Sequence, residues 1–161
     1  MIRQADEHDI GAVMALYAGA PAGTLCPVPT HAATLRAIAA GGLFALCAEG
    51  ALAGTLVLDR AQPAEYAQVK WQIPAAPERV LTVHALCVAP AARRQGCATA
   101  LLRFALGRAR ELDCVAVRLD AWGSNAPACA LYEGLGFSRA GALPAVVDGR
   151  ADEQVFYEHK A

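Results

Sequence analysis

Arg93-Arg94-Gln95-Gly96-Cys97-Ala98-Thr99 sets two guanidinium groups and a glycine where an apolar strand, ended at Pro90, gives way to a helical run. The first N–H groups of a helix have no carbonyl one turn behind them to donate to, and the helix dipole adds positive potential at that end. Small residues let an anion approach those N–H groups, so the stretch suits a pyrophosphate. Competing phosphate loops are absent: the chain has no Gly-Lys pair, which a Walker-type loop requires, and no G-x-G-x-x-G after a strand.

The elements that must position this loop follow from periodicity and punctuation. Ile2 to Gln4 starts a strand. Asp6 is an N-cap with Asp9 three positions on, ahead of Ile10, Val13, Met14 and Tyr17 at helical spacing. Thr30 caps a second helix through Leu35 and Ile38, ended by Gly41-Gly42. Leu43 to Glu49 and Leu52 to Asp59 read as a hairpin turning at Gly50-Ala51. Leu81 to Val88 is a nearly continuous apolar strand. After the loop, Leu101, Leu102, Ala105, Leu106, Ala109 and Leu112 mark one helical face, with Arg103, Arg108 and Arg110 off it. Val115 to Ala121 is a strand, Ala126 to Leu135 a helix, and Val155 to His159 a last strand. Three stretches read as irregular: Gly19 to Pro29, Gln62 to Arg79 with its three prolines, and Gly141 to Asp152. The order β-α-α-β-β-β-α-β-α-β mixes hairpins with a β-α-β crossover, which predicts an α/β fold with a mixed sheet and helices on its faces.

Composition narrows the function classes. A chain of 161 residues, 56% hydrophobic and 18% charged, can bury the core of one domain and is far from the disordered range. Its apolar runs are short, which argues against a membrane span, and the first residues lack a secretory signal, so a cytoplasmic location is expected. A net charge of −1 without a long Lys/Arg run argues against a nucleic-acid surface. The twelve arginines against only Lys70 and Lys160 reflect composition rather than a binding patch. The six cysteines at 26, 47, 87, 97, 114 and 129 lack C-x-x-C spacing, and the four histidines are dispersed. Mostly reduced, buried thiols and no metal centre are the expectation.

Arg93-x-x-Gly96-x-Ala98 resembles the [R/Q]-x-x-G-x-[G/A] signature of the GCN5-related N-acetyltransferase (GNAT) superfamily. It follows the strand His84-Ala85-Leu86-Cys87-Val88-Ala89-Pro90. It precedes Asn125 and Leu131-Tyr132-Glu133-x-Leu135-Gly136-Phe137, which is similar to that family's second cofactor motif. The match in order and spacing covers about Leu81 to Phe137; outside it, the likeness is in element order alone. The resemblance implies a single acetyltransferase domain over residues 1–161, with a mostly antiparallel mixed sheet and helices on both faces. It also implies acetyl-CoA as cosubstrate. The strand backbone at Leu86, Cys87 and Val88 would pair with the pantetheine arm. The N–H groups of Arg94, Gln95, Gly96, Cys97, Ala98 and Thr99 would hold the pyrophosphate, with the Arg93 and Arg94 side chains beside it. Asn125 would hydrogen-bond the cofactor arm, and Tyr132 would stand beside the sulfur.

Each of these side chains also has a plainer reading. Tyr132 shares a helix face with Cys129 and Leu135 and reads equally as a core aromatic; with the resemblance it becomes a general acid for the departing thiolate. His84 on an apolar strand reads as a hydrogen-bonded core residue. The resemblance to arylalkylamine N-acetyltransferases makes it a base or proton relay, although Thr82 stands where those enzymes carry an earlier histidine. Asp120 is a solvated strand-end carboxylate, an alternative base or an amine anchor, Trp71 and Trp122 are packing residues or walls of an acceptor pocket, and Cys97 is a small residue filling a tight loop or a thiol activated by the helix start.

The expected reaction is direct transfer in a ternary complex, with a strand N–H at Val88 polarising the thioester oxygen. The acceptor is expected to be an amine on a small molecule or peptide, and a homodimer is left open. A non-catalytic acyl-CoA sensor, a nucleotide-dependent transferase and a structural partner-binding domain are the alternatives. The three irregular stretches are expected to line the acceptor site and carry no motif that identifies it.

Overall fold

Ile2–Gln4 forms β1, and the residues after it show why the strand stops there. Asp6 accepts from the His8 N–H and Asp9 from the Asp6 N–H, each at 2.8 Å, closing a capping box that starts the 3₁₀ turn Glu7–Asp9 and then α1, Ile10–Ala18. The Thr30 hydroxyl accepts from the Ala33 N–H at 3.1 Å and opens α2, His31–Ala39. β2, Leu43–Ala48, and β3, Ala51–Asp59, form the expected hairpin, with the turn one residue earlier than expected, at Glu49-Gly50. β4 is Val80–Val88, α3 Cys97–Glu111, β5 Ala116–Trp122 and α4 Ala126–Gly134. The computed structural model describes residues 1–25 and 27–161. Cys26 lies outside the described residues; the other five cysteines are free, Cys87 and Cys114 buried as expected, but Cys47, Cys97 and Cys129 only half-buried.

The segment Gly141 to Asp152, expected as a loop, is instead a hairpin. β6, Ser138–Val147, pairs antiparallel with β7, Arg150–Lys160. Asp148 and Gly149 turn with φ of 50° and 73°, the left-handed pair that an Asp-Gly hairpin turn uses. Pro144 disguises β6 because proline cannot donate to a ladder; β6 is the last strand of the sheet, where proline is tolerated. The excursion Gln62 to Arg79 is irregular as expected, apart from the 3₁₀ turns Ala64–Gln68 and Pro77–Arg79.

Among the described residues, seven strands follow the order β1-β2-β3-β4-β5-β7-β6, with β4 and β5 parallel over Val80 to Thr82 and the other assigned registers antiparallel. Four α-helices accompany them among the described residues. The chain divides into two compact units, Met1–Asp59 with Val83–Ala105, and Arg60–Thr82 with Leu106–Ala161. In the first, Val13, Leu16 and Tyr17 of α1 pack with Ile38 of α2, Leu43 and Ala45 of β2, and Cys87 of β4.

The second unit buries two charged side chains, Arg118 and Glu158, directly opposite each other on β5 and β7. Glu158 accepts from the Gln72 N–H at 2.7 Å and the Ile73 N–H at 3.3 Å. Arg118 donates to Gln62 Oε1 at 2.8 Å and to the Ile73 carbonyl at 3.2 Å, and its guanidinium lies 4.3 Å from the centre of the Trp71 ring. An excursion without a ladder of its own is thereby tied to the sheet by side-chain hydrogen bonds. Among the described residues no helix is long and apolar enough to cross a membrane.

In the first unit, Arg3 grips Asp9 with two hydrogen bonds, 2.7 and 2.8 Å. The Arg3 hydrogen bonds lower the Asp9 carboxyl to a pKa of about 2, against some opposing desolvation. Asp9→Asn is expected to cost about 1 kcal/mol at neutral pH, because the pair is bidentate but partly exposed. The folded-state pKa lies below the unfolded one, so the contribution is complete above about 3.9. It fades as pH falls through about 2. Urea unfolding of both proteins across that range should show the wild-type advantage vanishing at the acidic end.

Candidate active site

β4 carries its predicted functional residues in its second half. Ala85 breaks the strand geometry directly after His84 with φ of 49°, a left-handed conformation that a β-carbon disfavours. Leu86 and Val88 are half-buried and Cys87 is buried. Burial pushes the Cys87 thiol pKa up, against the lowering influence of the Arg93 charge. Past the end of the strand, the Ala89 N–H donates to the Ala53 carbonyl at 2.8 Å and holds the chain against β3.

The loop that follows closes on itself before α3 begins. Pro90–Ala92 makes a 3₁₀ turn, and the Gln95 side-chain amide donates to the Ala91 carbonyl at 2.8 Å. Arg94 and Gly96 are both left-handed, with φ of 59° and 80°. Beyond its chain neighbours, a β-carbon on Gly96 would meet no atom within 4 Å, so the backbone conformation calls for glycine there while the space beside it stays open. α3 then starts at Cys97 with no acidic side chain in its first turn, and Arg93 and Arg94 are exposed. Free N–H groups, a positive helix end, two guanidiniums and open space are what a pyrophosphate needs.

Cys97 offers a direct probe of this loop. It is half-buried at the first residue of α3, whereas Cys87 and Cys114 are buried and the Cys129 thiol donates to the Trp122 carbonyl at 3.8 Å. Brief iodoacetamide treatment is expected to label Cys97 ahead of Cys87, Cys114 and Cys129, and saturating CoA to suppress that labelling, as read by mass spectrometry. Rapid labelling that CoA leaves unchanged would contradict the assignment of the loop to phosphate.

His84 has a partner that the sequence did not indicate. Its Nε2 lies 2.9 Å from Oδ1 of Asp59, the last residue of β3. Both side chains reach solvent, His84 at 28% and Asp59 at 44% of full exposure. Thr82 is fully buried, and its hydroxyl has no hydrogen-bond partner among the described residues.

The remaining predicted residues belong to the second unit, on α4. Asn125 is the N-cap of that helix, its Oδ1 accepting from the Ala128 N–H at 3.3 Å. Tyr132 is buried, with its ring centre 5.6 Å from that of Tyr157 and 6.1 Å from that of Phe137. Burial above all, then the charges of Asp120 and Cys129, push its phenol pKa above the ordinary tyrosine value. The aromatic packing and the pKa shift are compatible with either a core residue or a proton donor.

Asp120, expected as a solvated carboxylate, is instead engaged. It accepts from the Tyr66 hydroxyl at 2.6 Å and the Gln154 amide at 2.9 Å. Tyr66 is buried, and desolvation followed by the Asp120 charge holds its phenol strongly protonated. Trp71 packs against Tyr66 and Phe156 and donates through Nε1 to the Tyr66 carbonyl at 2.8 Å, while the Trp122 carbonyl accepts from the Asn125 N–H. An open groove of about 530 Å³ in the second unit is lined by Cys129, Glu133, Arg139, Asp152 and Tyr157 among others; neither Asn125 nor Tyr132 lines it. Among the described residues no cluster of His, Cys, Asp or Glu is arranged to hold a metal ion.

Comparison with solved structures gives the same architecture over nearly the whole chain. An N-acetyltransferase from Staphylococcus aureus Mu50 superposes with a TM-score of 0.78 at 19% identity, covering 99% of this chain and 97% of that one. A ribosomal-protein-alanine N-acetyltransferase from Brucella melitensis gives 0.78 at 20% identity, covering 100% and 99%. yncA from Salmonella typhimurium, solved with its cofactor acetyl-CoA, gives 0.77 at 18% identity, covering 99% and 92%. At these identities the likeness bears on the fold alone. No curated protein is similar enough in sequence to match. The profile of the acetyltransferase (GNAT) family does match, over residues 13–137, which takes in β4, the Arg93 to Thr99 loop, α3 and α4. The chain therefore belongs to the acetyltransferase (GNAT) family.

Proposed function

We propose that the chain, acting as one catalytic domain over residues 1–161, transfers an acetyl group from acetyl-CoA to an amine in a ternary complex. The observation that carries this reading is the loop from Val88 to Cys97, where two left-handed residues and an open-sided glycine lead directly into the start of α3. Bound acetyl-CoA supplies the activated acetyl thioester. The N–H groups of Arg94 to Thr99, with the Arg93 and Arg94 side chains, hold its phosphates. The backbone of Leu86, Cys87 and Val88 takes the pantetheine arm, and Asn125 donates to that arm through its amide nitrogen.

The chemistry then asks three things of the protein. The Val88 N–H polarises the thioester oxygen where negative charge develops. The His84 imidazole takes the proton that the amine nitrogen gives up as the C–N bond forms. Tyr132 gives its hydroxyl proton to the sulfur as the C–S bond breaks, and regains one from solvent. The amine acceptor, on a small molecule or a peptide, and a cytoplasmic location belong to the same proposal. A protein acceptor finds support in the ribosomal-protein-alanine N-acetyltransferase among the structural neighbours.

Two measurements test it. Acetyl-CoA at a hundred times its dissociation constant should stabilise the protein by about 2.7 kcal/mol, read as a thermal shift. An amine and peptide panel monitored by release of free CoA should show turnover. Binding without turnover on any acceptor would favour the acyl-CoA sensor instead, and a shift with ATP would favour a nucleotide-dependent transferase.

A further inference from the structure

We infer that Asp59 is a positioning residue for His84, selecting Nδ1 as the ring nitrogen that receives the proton of the acceptor amine; this rests on the base assigned to His84 above. Asp59 Oδ1 stands 2.9 Å from His84 Nε2. An ionised carboxylate can only accept a hydrogen bond, so the nitrogen facing it must carry the hydrogen. In the neutral ring the other nitrogen then holds the lone pair. Asp59 therefore decides the tautomer, and a ring held in the opposite one would present N–H, not a lone pair, to an incoming amine.

Three further features support a working pair rather than an incidental contact. The two residues are 25 positions apart in sequence and meet across neighbouring strands, so the strand pairing sets their spacing. The backbone of β4 turns left-handed at Ala85, immediately after His84, a conformation that a β-carbon disfavours and a regular strand does not use. Both side chains keep partial exposure, so the imidazole can be reached and can return its proton to solvent. In the step itself, an N–H bond of the amine breaks and an Nδ1–H bond forms. The carboxylate remains ionised and faces the imidazolium, and the proton leaves from Nδ1 to water before the next turnover.

The test reads the ring itself as well as the rate. With histidine-¹⁵N-labelled protein at about pH 8, above the ordinary histidine range, long-range ¹H–¹⁵N correlation should place the His84 proton on Nε2. His84→Ala identifies the signal, and Asp59→Asn should allow the proton onto either nitrogen. In kinetics, Asp59→Asn is expected to lower kcat about tenfold, less than the loss of the base itself because the imidazole remains, while the amine KM moves less than about threefold. Added to His84→Ala, it should lower kcat no further. A proton found on Nδ1 in the wild type overturns the pair, whether or not an acceptor has been found. So does full activity in Asp59→Asn beside a slow His84→Ala, or an equal loss in both backgrounds. Full activity in His84→Ala instead removes the base assignment and the pair with it, and a wild type that fails to bind acetyl-CoA separately defeats the acetyltransfer reading.

Discussion

Tyr132→Phe is expected to turn over at about one hundredth of the wild-type rate while binding acetyl-CoA with unchanged affinity. The substitution keeps the ring and its contacts with Tyr157 and Phe137, and removes only the hydroxyl. Burial, with the charges of Asp120 and Cys129, pushes the phenol pKa up, which keeps the proton in place across the neutral range. The sign follows directly: loss of the acid by ionisation should appear only above the ordinary tyrosine value of about 10, so the wild type should show no alkaline limb from Tyr132 below that pH. The same shift has a cost. A phenol with a raised pKa parts with its proton less readily to a thiolate, so the expected contribution sits at the low end of the usual 10²–10⁴-fold range for a positioned acid. The plainer reading makes a different prediction. If Tyr132 is only a core aromatic, phenylalanine fills the same space, and kcat at saturating acceptor stays within about twofold. Steady-state kinetics with calorimetric acetyl-CoA binding separates the two.

Gly96→Glu should weaken acetyl-CoA binding on the order of a hundredfold, about 2.7 kcal/mol, in a protein that remains folded. Two physical effects act in the same direction. The side chain enters space that, beyond the neighbouring residues of the chain, no protein atom occupies within 4 Å of the β-carbon position, which is the space the proposal assigns to the cofactor's phosphates. It also brings a negative charge to the start of a helix whose first turn has none, against an anionic ligand. Gly96→Ala is the control, because it carries the strain of a β-carbon at φ of 80° with neither the bulk nor the charge. Alanine should therefore reduce stability more than affinity. Equal losses of affinity in the two variants would mean that backbone conformation, not ligand space, dominates. Unchanged affinity in a folded Gly96→Glu protein would remove the phosphate assignment altogether.

What the sequence determined by itself is local. The capping pairs at Asp6 and Thr30 act within three residues, the start of α3 follows from a loop and an apolar face contiguous in the chain, and the Arg93 to Thr99 motif lies on consecutive residues. Such features are decided by hydrogen bonds and side-chain spacing over one or two turns, so they are legible before any tertiary structure exists. The Asp148-Gly149 turn is just as local, yet a loop is what the sequence predicts there, because Pro144 speaks against a strand unless the strand is known to be an edge, and edges are assigned only by the completed sheet. What tertiary structure alone decided is pairing across distance. Asp59 meets His84 over 25 positions, Tyr66 meets Asp120 over 54, and Glu158 receives the Gln72 N–H over 86. The first needs two neighbouring strands in register, and in the other two a strand side chain meets the irregular Gln62 to Arg79 segment, so a slip of one residue in the strand would turn the side chain to the opposite face. A histidine or a carboxylate in a strand sequence therefore does not state its partner, and the hydrogen bonds that set its chemistry exist only once the strands are paired and the segments beside them are folded against the sheet.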